Sequence, residues 1–175
     1  MKINNYIIFR DDGVGDLLLI TPVLKLIKKN DKSAFILLIC SNRNNEYAEI
    51  LIKNHLIDKI FNVDKSNSYG KLYGAISLYL KVLKFKPSVS LIFRQKIKNY
   101  IISRLCCSQN FGLVTINSSL YGMIKKYRPF KFLINFLLTD HVIIDQRENF
   151  AYINIDHWSD FYLNLYKKVY KKLNR

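Results

Sequence analysis

The sequence predicts an α/β fold, a parallel sheet of about five or more strands with helices on both faces. Two observations carry that expectation. Short apolar β-former runs, such as Tyr6–Phe9 (YIIF) and Ala34–Cys40 (AFILLIC), alternate with helical periodicities along the chain. These runs are also continuous rather than alternating, as expected of strands covered on both faces.

The elements follow in order. Tyr6–Phe9 is the first strand, and Arg10–Gly15 breaks the pattern with acids and two glycines. Glycine permits positive φ or close backbone approach to a ligand. Asp16 is expected to cap the apolar turn Leu17–Ile20, and Thr21-Pro22 to restart the helix, Thr capping and Pro at its first position. Ala34–Cys40 is the second strand, Asn44–Asn54 a helix with Tyr47, Ile50, Leu51 and Asn54 on one stripe, and Lys59–Val63 the third strand. Gly70–Phe85 carries Leu72, Tyr73, Ile76, Leu80 and Leu83 at helical spacing and ends at Pro87. Val89–Phe93 is a strand, Ile97–Cys107 a helix and Phe111–Thr115 a fifth strand. A polar loop and a broken apolar helix around Phe130–Leu138 follow, and His141–Asp145 reads as a short strand or a connector. The last helix, Trp158–Leu173, places Trp158, Phe161, Tyr162, Leu165, Val169 and Leu173 on one face and Lys167, Lys168, Lys171 and Lys172 on another. That pattern suits a helix packed on its own domain, and also an interfacial membrane helix.

The 175 residues are one domain's worth, half of them hydrophobic and 14% aromatic, which excludes a disordered chain. Lys and Arg outnumber Asp and Glu 28 to 13, a formal charge of +15. Such charge attracts nucleic acid, phosphorylated glycolipid or an anionic membrane, although compositional bias accounts for it equally well. No nucleic-acid module is recognisable, so no nucleic-acid partner is expected. Cys40, Cys106 and Cys107 imply neither a disulfide framework nor a metal spacing, and His55, His141 and His157 suggest no metal or triad. A reduced, cytoplasmic chain without a signal peptide is expected. The longest apolar run, Phe130–Leu138, falls far short of the ~20 residues that span a bilayer.

The acidic loop after the first strand is the candidate site. It lacks the third glycine of a dinucleotide fingerprint, Leu18 standing there, and no P-loop Gly-Lys-Ser/Thr follows. Acids in such a loop suit holding a hydroxyl or taking its proton better than cradling phosphate. Asp11 and Asp12 also read as turn residues. Arg94, Lys96 and Lys98 follow the fourth strand at the same sheet edge, where they could hold anionic groups.

The pattern Arg10-x-Asp12-x-x-Gly15-Asp16-x-x-Leu19-x-x-Pro22 resembles the N-terminal signature of glycosyltransferase family 9, the lipopolysaccharide heptosyltransferases and their relatives. Ile57-Asp58-Lys59-Ile60, Leu91–Leu105, Asn110–Leu113 and His157–Phe161 resemble later segments of the same N-terminal domain. Ser88 and Ser90 depart from it, since members often carry an acid before the fourth strand. The resemblance implies a Rossmann-like acceptor-side domain over 1–156 and a closing basic helix over 157–175. The donor-binding C-terminal domain of such two-domain enzymes is absent from the sequence.

The implied reaction is inverting sugar transfer from a nucleotide-sugar such as ADP-heptose to an anionic, lipopolysaccharide-type glycolipid. Asp16 would be the general base, and Arg10, Asp12, Gly13, Gly15, Arg94 and Lys98 would bind the acceptor. No metal and no cofactor beyond the donor are implied. The expected location is the cytoplasm, peripheral at the inner membrane. Two alternatives stay open: a catalytically silent binding module of the same fold, and a basic peripheral membrane protein.

Overall fold

A computed structural model describes residues 4–63, 72–94, 96–115, 136–144 and 158–173, without the side chains of 72–73, 114–115, 141–144 and 158–161. The expectations for residues 117–135 and for His157 lie outside these residues. Six strands form one sheet: β1 (Asn5–Phe9), β2 (Phe35–Ser41), β3 (Lys59–Val63), β4 (Val89–Ile92), β5 (Gln109–Thr115) and β6 (Asp140–Ile144). Their order is β3-β2-β1-β4-β5-β6 and every pairing is parallel. The segment read as strand or connector is therefore the edge strand β6. β1 lies centrally, as its unbroken apolar run requires, with Ile7, Ile8 and Phe9 fully buried.

Period-2 alternation sends Tyr6 and Ile8 to one face of the sheet and Ile7 and Phe9 to the other. On the first face they pack with α1 (Val14–Leu19), α2 (Thr21–Asn30), α3 (Asn45–Lys53) and α6 (Trp158–Leu173). On the second they pack with α4 (Leu72–Leu83) and α5 (Ile97–Cys106). α6 buries Tyr162, Leu165, Tyr166 and Val169 in the first core, so this part of its apolar stripe is packed on its own domain. Among the described residues no helix is long and apolar enough to cross a bilayer.

Several local expectations are corrected. α1 begins at Val14 with Gly13 as its N-cap, so Asp16 is not the cap; it sits in the first turn and accepts the Gly13 N–H at 3.3 Å. Thr21 does not cap α2 either. Ile20 is the capping residue, Pro22 occupies the second helical position, and the Thr21 hydroxyl bonds the Tyr47 hydroxyl at 2.9 Å. α3 buries Ala48 and Leu51 while Ile50 is exposed. α4 buries Leu78 and Val82, and the expected stripe of Ile76, Leu80 and Leu83 is its outer face.

Asp58 explains the turn before β3. Its Oδ2 accepts the Ile36 N–H at 2.7 Å and pairs with Lys28 at 2.8 Å, tying α2, β2 and β3 together. The three cysteines are unpaired thiols. Burial pushes Cys40 up to about 12 and Cys106 to about 11, and raises Cys107 as well, so all three stay protonated at neutral pH and act as small packing groups.

In β5, a Cβ on Gly112 would stand 3.0 Å from a Tyr100 ring carbon and 3.2–3.3 Å from both Leu138 methyls. Tyr100 cannot yield, because its hydroxyl is committed to the Leu113 carbonyl at 2.8 Å in a buried site. Gly112→Ala is expected to destabilise the fold by about 1–3 kcal/mol in chemical denaturation.

Candidate active site

The strand order reverses direction between β1 and β4, and open α/β sheets place their sites outside the carboxyl ends of the strands at that point. Two loops meet there. The first, Arg10–Gly13, leaves β1; the Arg10 N–H donates to the Ile39 carbonyl at 2.9 Å, and the Asn44 amide donates to the Asp12 carbonyl at 2.9 Å. The second leaves β4, where the Phe93 N–H donates to the Phe9 carbonyl at 3.2 Å and the Asn99 side chain donates to the Arg94 carbonyl at 3.2 Å.

Arg10 is at the centre and only 3% exposed. Its Nε donates to the Asp16 carbonyl at 3.1 Å and its Nη1 to the Phe93 carbonyl at 2.9 Å. Nη2 donates to Asp16 Oδ1 at 2.7 Å and to the Tyr162 hydroxyl at 2.9 Å. Asp12 Oδ1 lies 3.1 Å from Nε, and the guanidinium carbon stands 5.1 Å from the Tyr162 ring centroid. A buried guanidinium is tolerated only with such saturation of its donors. Every nitrogen of Arg10 thus faces a partner within the chain, which makes it an organiser of the loop.

Asp16 presents the opposite balance. One carboxylate oxygen is held by Arg10 and the other by the Gly13 N–H, yet its side chain is 44% exposed. Asp12 is more enclosed, 3.4 Å from Arg94 as well as close to Arg10. Burial raises its carboxyl above the ordinary range, with Arg10 opposing that rise and Asp16 adding to it.

Asp11 is not a bare turn residue. It is buried, its Oδ2 pairs with Lys96, and its Oδ1 lies 3.5 Å from Arg94. Lys98 stands on the first turn of α5 beside this group; burial first, then the neighbouring Lys96, lower its affinity for a proton. Gly13 and Gly15 have no positive φ, so neither is there for a left-handed turn. Nothing lies within 4 Å of where a Gly15 Cβ would stand, which leaves open space beside α1.

The structure thus brings Arg10, Asp12, Gly13, Asp16 and Arg94 into one network and sets Gly15 and Lys98 at its margin. Sequence reasoning missed Tyr162, which it placed only on an apolar stripe. A tyrosine on a buried stripe was the available signal, since its hydroxyl needs a partner. Among the described residues no group of His, Cys, Asp and Glu side chains is arranged to hold a metal ion.

Arg10→Met should leave Asp12 without its closest cation and strip partners from two buried backbone and hydroxyl groups. A loss of about 3–5 kcal/mol in urea denaturation is expected. Asp11→Asn should cost about 1–3 kcal/mol by the same measurement, where a plain turn residue would cost almost nothing.

No family model matches this sequence, and no curated protein matches it. Among solved structures, the crystal structure of the glycosyl transferase family 9 protein from Veillonella parvula DSM 2008 is similar, with a TM-score of 0.69 at 15% sequence identity. The match covers 96% of this chain and 42% of that one. The chain therefore has the α/β fold found over part of a glycosyl transferase family 9 structure, and spans less than half of that protein's length.

Proposed function

We infer that this chain is the acceptor-binding half of an inverting glycosyltransferase, with Asp16 as general base. The observation that carries the reading is Asp16 itself: an exposed carboxylate at the sheet's switch point, fixed on one side by a buried arginine. The matching of Arg10, Asp12, Gly15 and Asp16 to the family signature and the likeness to a glycosyl transferase family 9 structure support it.

In this reading the acceptor hydroxyl lies against Asp16. Its oxygen attacks the anomeric carbon of a nucleotide-sugar, the proton passes to the Asp16 carboxylate, and the nucleoside diphosphate leaves from the opposite side with inversion. Arg10 and the Gly13 N–H orient the base and are not consumed by substrate. Arg94 and Lys98, at the rim, hold phosphate or carboxylate groups of an anionic glycolipid. The open space at Gly15 lets the sugar approach the start of α1. The donor, ADP-heptose or a related nucleotide-sugar, is held by a second domain.

The test is sugar transfer to a glycolipid acceptor by the chain supplied with a donor-binding domain. Asp16→Asn should reduce the rate by ~10²-fold or more while changing stability by about 1–2 kcal/mol. Unchanged turnover per folded molecule would remove Asp16 as the base and leave it as a contact of the first helical turn.

A further inference from the structure

The outer face of α4 and α5 is apolar where a solvated helix pair would be polar. α4 turns Leu78 and Val82 to the sheet and exposes Ile76, Leu80 and Leu83 on the opposite side. α5 buries Tyr100 and Ile102 and exposes Ile97, Ile101 and Leu105, the last at 61%. The spacings i, i+4, i+7 and i, i+4, i+8 line each set up as a stripe along its helix. The two helices cover the same side of the sheet and touch one another, so both stripes look outward in the same direction. Single exposed aliphatics are ordinary; two adjoining stripes are not.

The charge around them has one sign. From Lys65 to Thr139 the sequence contains no Asp or Glu, and this stretch includes the whole of both helices. Lys81, Lys84, Lys86 and Arg104 are exposed beside the stripes, and Arg104 lies over the exposed Phe136 ring at 5.2 Å. The geometry points to docking of this face on an anionic lipid surface, the aliphatic stripes entering the headgroup layer and the basic side chains pairing with lipid phosphates. Nucleic acid is the poorer fit, because single strands are held on aromatic platforms and these stripes are aliphatic. A second copy is also poorer, because a two-fold contact would set one basic patch against another. This inference is independent of the sugar-transfer reading and is measured without turnover.

The experiment is co-sedimentation of the full chain with vesicles of phosphatidylcholine alone or mixed with phosphatidylglycerol. Binding to the mixed vesicles is expected, with little to the neutral ones and partial weakening as salt rises. The triple change Leu80→Gln, Ile101→Gln and Leu105→Gln should weaken it by about tenfold or more, as should the pair Lys81→Glu and Lys84→Glu. All five positions are exposed, and a melting curve for each variant verifies that it folds. Absence of binding by the unaltered chain would overturn the proposal. So would binding that survives both variants, or that falls equally with Lys167→Glu and Lys171→Glu on α6. A concentration-dependent dimer abolished by the triple change would assign the face to a second copy instead.

Discussion

The buried guanidinium of Arg10 is the interaction on which the rest of the crevice depends. Taking that cation out of water would cost several kcal/mol if it stood alone. It is compensated by two backbone carbonyls, two carboxylates and a tyrosine hydroxyl, drawn from the β1 loop, the β4 loop, α1 and α6. No one of those elements supplies enough partners by itself. The loops therefore hold their positions because the arginine requires all of them at once, and lysine could not serve, lacking the planar fork of donors.

Around this centre the charges are layered. Arg10 is innermost with Asp12 and Asp16, and Arg94 and Lys96 form an outer tier held by Asp11 and Asp12. The acids that read in the sequence as ill suited to cradling phosphate are thus largely neutralised from within and from the side. Asp16 alone keeps a large exposed share, so the acidic character that reaches the crevice is concentrated in one side chain. Among the described residues, in contrast, most lysines are exposed, including those beside the α4–α5 stripes.

The sheet was legible because strands buried on both faces must be apolar throughout, and Tyr6–Phe9 and Ala34–Cys40 admit few other readings. Helix orientation was less legible. α4 is apolar nearly all round, so periodicity offered two stripes, and the expectation settled on the outward one, Ile76, Leu80 and Leu83, over Leu78 and Val82. Asp16 was singled out as a candidate position but the helix start at Gly13 was not read, because glycine at position 13 gives no side-chain signal for an N-cap. Arg94, Lys96 and Lys98 could be placed at the crevice from topology alone, each following a strand adjacent to β1. Asp11 was misjudged because its partners, Lys96 and Arg94, lie more than eighty residues away in the chain. Tyr162 was missed for the same reason; its bond to Arg10 spans 152 residues, and no local pattern announces such a contact.

That separation has a consequence for how the chain acquires a working crevice. A polypeptide emerging from the ribosome can pair β1 with β2 early, since those strands are neighbours in sequence. The guanidinium between them and α1 stays incompletely partnered until α6 arrives with the Tyr162 hydroxyl. The side chain that orients the crevice is thus among the first made and among the last satisfied. Assembly of the network is coupled to completion of the fold, and a partly made chain carries the loop residues without the arrangement that joins them.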